Sequence, residues 1–163
     1  SRSPSAAARL KGGDFEVSGD PEAVRVAERL VARLDGHTLA IPTEGRSLYH
    51  AAAVTGSNHL VALFAVAAGL LRQAGVAPGD AEGAFGELVS GTLANIRATG
   101  PIDALTGPIM RGDADTVARH LAALSPRDAA TYVALARRTL DLVRERLGAG
   151  AIEEFEALFS RFS

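Results

Sequence analysis

The sequence predicts a mainly α-helical chain that opens with one short β-α-β unit. Three observations lead there. Two brief stretches, "DFEVS" (14–18) and "HTLAIP" (37–42), flank a single helical stripe, the arrangement of two short strands around a crossover. Beyond Pro42 the apolar residues repeat at three and four positions rather than two. Asp, Ser and Pro open these patterns and Gly closes them, the usual punctuation of helices.

The elements follow in order. Residues 1–12 are polar and small and are expected to be disordered or a linker. The lack of an initiator Met suggests a chain that begins inside a longer gene product. Residues 13–44 form the β-α-β unit. In it Phe15 and Val17 share a strand face, Asp20 caps a helix and Pro21 takes its first position. Val24, Ala27, Leu30, Val31 and Leu34 make that helix's apolar stripe, and Asp35-Gly36 stops it. The crossover is short enough for a parallel pair, but two strands do not make an independent sheet.

Residues 45–163 read as a helical domain. One long helix over about 46–74 is expected to be buried on most sides by other helices. A second, about 80–99 and capped by Asp80, shows Phe85, Leu88, Val89, Thr92 and Ile96 on one face. Gly83, Gly86 and Gly91 lie inside it, each costing about 1 kcal/mol against Ala. Either a neighbouring helix or ligand approaches closely there, or the helix is simply weak. "GPIDALTGPIMRGD" (100–113) predicts a compact bend, and Asp113 can cap a helix over 114–124. Ser125-Pro126-x-Asp128 opens the next helix as a capping box, with Val133, Ala136, Leu140, Val143 and Leu147 at 4-3 spacing. A last amphipathic helix holds Phe155, Phe159 and Phe162, half of the six phenylalanines.

Composition excludes several classes. There is no cysteine, so no disulfide framework and no thiolate metal site, which fits a cytoplasmic protein. The 17 basic residues, all but one Arg, face 19 acids, for a net charge of −2. They form no patch for nucleic acid or anionic lipid. Ala51–Leu71 is uncharged and long enough to span a bilayer. The cluster Thr55, Gly56, Ser57, Asn58 and His59 would be costly in lipid, so the prediction is no membrane span.

Two clusters carry the candidate chemistry. On a regular helical wheel His50, Ser57 and Val61 share a face and Asn58 borders it, while His59 lies opposite. That spacing argues against a metal. A neutral imidazole beside a hydroxyl and an amide can relay a proton; equally, all three can bond to backbone in a polar helix crossing. The second cluster is Thr106-Gly107-Pro108 with Arg111, Asp113, Thr116 and His120, to which Asn95 and Thr99 lie close. Amides at a Gly-rich bend beside an Arg suit a carboxylate or phosphate, or Asp113 only caps its helix and pairs with Arg111. No glycine fingerprint, Walker loop or G-x-S-x-G elbow is present.

"LYHAAAVTGSNHLVAL" and, about forty residues later, "NIRATGPIDALTGPIMRGDADTVARHLAAL" together resemble the C-terminal part of Rossmann-like oxidoreductases that carry domain of unknown function 2520. The resemblance runs from about Phe15 to Leu124. It implies a 6-phosphogluconate dehydrogenase C-terminal-like helical domain, related to ketopantoate and pyrroline-5-carboxylate reductases. The leading β-α-β would then be left from a Rossmann sheet whose fingerprint-bearing part this chain lacks. It also implies NADP as the cofactor of the full-length protein, a small carboxylate-bearing substrate and a homodimer formed through the helical domain. Tyr49, His50, Ser57 and Asn58 match the family's first motif; Thr106, Gly107, Pro108, Arg111, Asp113 and His120 match its second. Related hydroxyacid enzymes place a Lys on the long helix, but the only lysine here is Lys11, so His50 is the substitute proton donor.

Two functions remain in view. One is the substrate and dimerisation domain of an NADP-dependent reductase of a small keto acid or imine, with His50, Ser57 and Asn58 catalytic and Tyr49, Asn95, Thr106, Gly107, Arg111, Asp113 and His120 binding substrate. The other is a non-catalytic helical interaction module, for which a charge at Leu140 is expected to disrupt assembly. A sensor of small anions at the Gly-Pro bend is the weaker third.

Overall fold

The computed structural model describes residues 10–162, so most of the stretch expected to be disordered, residues 1–9, lies outside the described residues. The chain is mainly helical, with one two-stranded parallel sheet at its start. It divides into two compact units, Ser1–Leu63 and Phe64–Ser163.

In the first unit β1 (Asp14–Glu16) and β2 (His37–Leu39) pair in parallel, Phe15 opposite Thr38. Both are shorter than the alternation suggested: Val17-Ser18 and Ala40-Ile41-Pro42 lie outside the ladder. The crossover helix α1 (Pro21–Arg33) begins as expected, with Pro21 in its first turn and Asp20 Oδ1 accepting the Glu22 and Ala23 amides, each at 3.0 Å. Gly36 is required where α1 turns back to β2. A Cβ there would come within 2.7 Å of the Gly13 carbonyl oxygen and 2.8 Å of the Phe15 ring. Val31 alone of the α1 stripe is fully buried; Leu30 and, on β2, Leu39 stay exposed.

The predicted long helix is interrupted. α2 (Arg46–Gly56) and α3 (Asn58–Gln73) meet at Ser57, whose ψ is −70°. The cause is local. The Thr55 and Ser57 hydroxyls donate back to the Ala51 and Ala53 carbonyls, at 2.8 and 2.6 Å, a competition with the ladder that bends helices, and Gly56 between them resists little. Nor is this run buried by other helices. Thr43–Gln73, counting its lead-in turn, is long and apolar enough to cross a membrane, with a mean hydropathy of 1.6 and only 6% of its most apolar 18-residue stretch buried. Leu48 and Val61 are exposed by 76% and 70%.

The second unit holds the core. α5 (Ala114–Ala123), α6 (Pro126–Val143) and α7 (Ala149–Ser160) enclose Val117, Leu121, Val133, Ala136, Leu140, Val143, Phe155 and Phe159. Phe155 and Phe159 stack at 5.9 Å between ring centres, whereas Phe162 stays exposed. The 4-3 seam thus packs against the chain's own α7, and Leu140 is core. A charge there would unfold this unit rather than dissociate an assembly, which corrects the expectation drawn from spacing.

α4 (Pro78–Thr99) behaves differently. It starts at Pro78 rather than at Asp80, behind Ala77, and no side chain caps it. Phe85 meets Phe64 edge-on at 6.4 Å, and Glu82 pairs with Arg72. Beyond these contacts its predicted inward face is open: Leu88 and Ile96 are exposed, and of its 22 residues only Ala81 is fully buried. A Cβ added at Gly83, Gly86 or Gly91 would meet nothing within 4 Å. No neighbour within the described residues explains these glycines.

Candidate functional site

The first cluster lies in the first unit. His50 is exposed on α2 and touches Tyr49, ring centres 5.7 Å apart; it makes no hydrogen bond among the described residues. Ser57 sits at the helix interruption, with its single proton committed to the Ala53 carbonyl at 2.6 Å and Asn58 Oδ1 farther off at 3.2 Å. The regular wheel that aligned His50 with Ser57 and Asn58 ends at Gly56. The structure joins Ser57 to Asn58, and His50 to Tyr49, but among the described residues no hydrogen bond or ring contact links the two pairs.

The second cluster lies in the second unit. Gly100, at φ 83°, ends α4, and Gly107 turns the chain at φ 92°. Amides of Arg111 and Asp113 both return to the Pro108 carbonyl, at 3.1 and 2.9 Å, which closes a tight loop. Gly112, at φ 70°, passes close to Ala151 of α7, where a Cβ would lie 3.3 Å from its side chain. Asp113 then caps α5, its carboxylate accepting the Thr116 amide at 3.0 Å. That bond, helped by the Thr116 hydroxyl, holds its pKa below the ordinary carboxylate value. The anion-binding position at this helix start is therefore filled by the chain's own carboxylate. Arg111 is exposed and forms no ion pair among the described residues, and Asn95 is exposed on α4.

Further along, the second motif is drawn together by a residue the sequence reading missed. Thr106, Pro108 and Ile109 line a cavity of about 320 Å³ with Leu105, Tyr132, Leu135, Ala136 and Thr139. Tyr132 also lines a larger cavity of about 550 Å³, where its hydroxyl lies 3.0 Å from His120 Nδ1. Burial pushes the Tyr132 phenol above its ordinary value, so it stays protonated. The available signal was slight: Tyr132 is one of two tyrosines and adjoins Val133 of the seam.

The β1-α1-β2 unit does not fit a dinucleotide on its own. The α1 N-terminus, where a pyrophosphate would dock, is occupied by Asp20, whose pKa the Ala23 and Glu22 amides hold below the ordinary carboxylate value. Among the described residues no three His, Asp or Glu side chains gather as a metal site would need. No curated protein and no solved structure gives a significant match to the chain. A family model does match, the domain of unknown function DUF2520, over residues 14–139. That span takes in the β-α-β unit, both motifs and most of α6, and the chain belongs to this DUF2520 family.

Proposed function

We propose that this chain is the helical substrate and dimerisation domain of an NADP-dependent oxidoreductase that reduces a small keto acid or imine, ketopantoate-like in size. The observation that carries the reading is the order of the chain. A parallel β-α-β unit too small to stand alone, with Leu30 and Leu39 exposed, leads into a helical domain. That order supports a 6-phosphogluconate dehydrogenase C-terminal-like domain following a Rossmann sheet. Nucleotide binding falls to a part of the protein other than α1, because Asp20 occupies that helix start.

In this reading the residues act by binding and orienting. His50, exposed and unbonded, is free to give a proton to a carbonyl oxygen, and Tyr49 fixes its ring. Asn58 orients the substrate, whereas Ser57 spends its proton on Ala53. Within the second unit Arg111, exposed beside the Thr106-Gly107 bend, is a separate contact for an anion. The test is NADPH oxidation by the encoded protein, including whatever precedes Ser1, with a panel of small 2-keto acids and imines. The expected result is turnover that His50→Ala lowers by about 10²-fold or more. Failure to bind any nucleotide would end the reading.

A second reading, a non-catalytic helical module, is favoured by a different observation. Residues 88–96 of α4 carry no charge, and the side chains there are almost all exposed. An apolar helix face in water must find a cover, and the open glycines suit a close helix approach from a second copy. A homodimer through α4 belongs to both readings; what separates them is whether His50→Ala changes any activity.

A further inference from the structure

His120, a substrate contact by the resemblance, stands with Tyr132 at a cavity whose lining includes neither His50 nor Arg111. Its walls come from two helix ends and one helix face within the second unit: Leu70, Gln73 and Ala74 at the end of α3, His120, Ala123 and Leu124 at the end of α5, and Tyr132 on α6. At about 550 Å³ it falls within the range of small-molecule sites. Leu70, Ala74, Ala123 and Leu124 give it an apolar body, and the polar tips are the imidazole, the phenol and the Gln73 amide.

The charge of this space is set by the backbone. α3 and α5 both end here, so each presents carbonyls at the negative end of its dipole, equivalent to about half an elementary charge. Of the amides at the start of α6, that of Asp128 is already answered. Ser125 Oγ accepts the Asp128 amide at 3.2 Å and donates to the Asp128 carboxylate at 2.7 Å. Arg72, in the last turn of α3, is paired with Glu82. Neither a lysine nor an arginine lines the cavity.

We infer that this cavity binds a small amine with a compact hydrocarbon body, its ammonium held between the helix-end carbonyls and the His120–Tyr132 pair. The tyrosine hydroxyl, 3.0 Å from His120 Nδ1, either donates to a neutral imidazole or accepts from it. In both cases an oxygen lone pair is left for an N–H donor. A carboxylate of the same size would face the negative ends of both helix dipoles, whatever the pair donates to it.

Three probes with one aromatic body and different heads test this on the full chain: phenethylamine, phenethyl alcohol and hydrocinnamate. At about pH 8 the amine is charged and a free imidazole neutral. The amine is expected to bind saturably, to shift the His120 ring resonances and to bind at least tenfold tighter than the carboxylate. Tyr132→Phe should weaken it about tenfold, the usual loss of a hydrogen bond to a charged partner; His37→Gln, on the first unit, should not. Should Tyr132→Phe disturb folding by circular dichroism, His120→Gln, at an exposed position, carries the same expectation. Equal or tighter binding of hydrocinnamate, no binding of the amine, or amine binding indifferent to the His120 change would each overturn the assignment.

Discussion

α6 and α4 are both amphipathic by sequence, and they meet opposite fates. Of the 18 residues of α6, Ala129, Val133, Ala136, Leu140 and Val143 are buried. Of the 22 of α4, only Ala81 is. The difference is not in apolar content, since α4 has the higher mean hydropathy of the two. It lies in the partner each helix finds within the chain: α7 returns to cover α6 with Phe155 and Phe159, whereas Phe64 reaches only Phe85, near the start of α4. Periodicity tells which face of a helix wants cover. It does not tell whether the cover is encoded in the same chain.

The largest effect expected from this comparison is at Phe155, which is fully buried. Phe155→Ala should destabilise the second unit by about 3–5 kcal/mol, from lost transfer energy and the cavity left behind. Urea unfolding followed by circular dichroism measures it. Leu140→Asp, which buries an unpaired charge in the same core, should leave this unit unfolded at any protein concentration. A folded Leu140→Asp protein that merely loses self-association would reverse the assignment of the seam to α7.

Next in size is the open face of α4. Leu88 is 60% exposed, so in an isolated chain Leu88→Asp should change stability by no more than about 0.5 kcal/mol. If a second copy covers α4, the same change places a charge in an apolar interface and should weaken the dimer more than tenfold by sedimentation equilibrium. A wild-type chain that is monomeric at all concentrations removes the homodimer from both functional readings. Partitioning of the wild-type chain into lipid vesicles would instead make a bilayer the cover of this face.

Much of the fold was legible in the sequence where the determinants are local. The caps at Asp20, Asp113 and Ser125 stand where residue type and spacing put them, because a cap depends on three or four neighbouring residues. The interruption at Ser57 was not read, although its cause, two hydroxyls a residue apart from Gly56, was in plain sight. The wheel assumed a continuous ladder. At the candidate site the residues within each motif could be named, but Tyr132 could not. Its meeting with His120 depends on how α5 and α6 cross, and no local pattern encodes a crossing. The loss of the expected α4 core has the same origin.

Gly91→Ala discriminates by sign. In an open helix interior the extra methyl meets nothing, so the change should stabilise the chain by about 1 kcal/mol through backbone entropy. Against a closely approaching second copy the methyl would intrude, and dimer affinity should fall while monomer stability rises. Thermal unfolding at low and high protein concentration separates the two terms. A melting temperature raised equally at both concentrations would show that no helix packs on Gly91.

The smallest expected effect concerns how the two helices start. α5 begins on the Asp113 carboxylate, α4 on Ala77 with no side-chain cap. The pKa of Asp113 is held below its ordinary value of 3.8, first by the Thr116 amide and then by the Thr116 hydroxyl. A depressed folded value means that the capping contribution is present in full above about pH 4. It is lost as pH falls through the folded value, because the proton binds the unfolded chain first. The Thr116 amide resonance should therefore titrate with a midpoint below 3.8, with fraying of the first turn of α5 at lower pH. The first amides of α4, with no carboxylate cap to lose, should not fray with that midpoint. Asp113→Asn keeps an acceptor oxygen and drops the charge, so it should leave α5 formed and erase the acid transition at Thr116. Persistence of that transition in Asp113→Asn would assign it to another group, with Asp115 on the first turn of α5 the next to test.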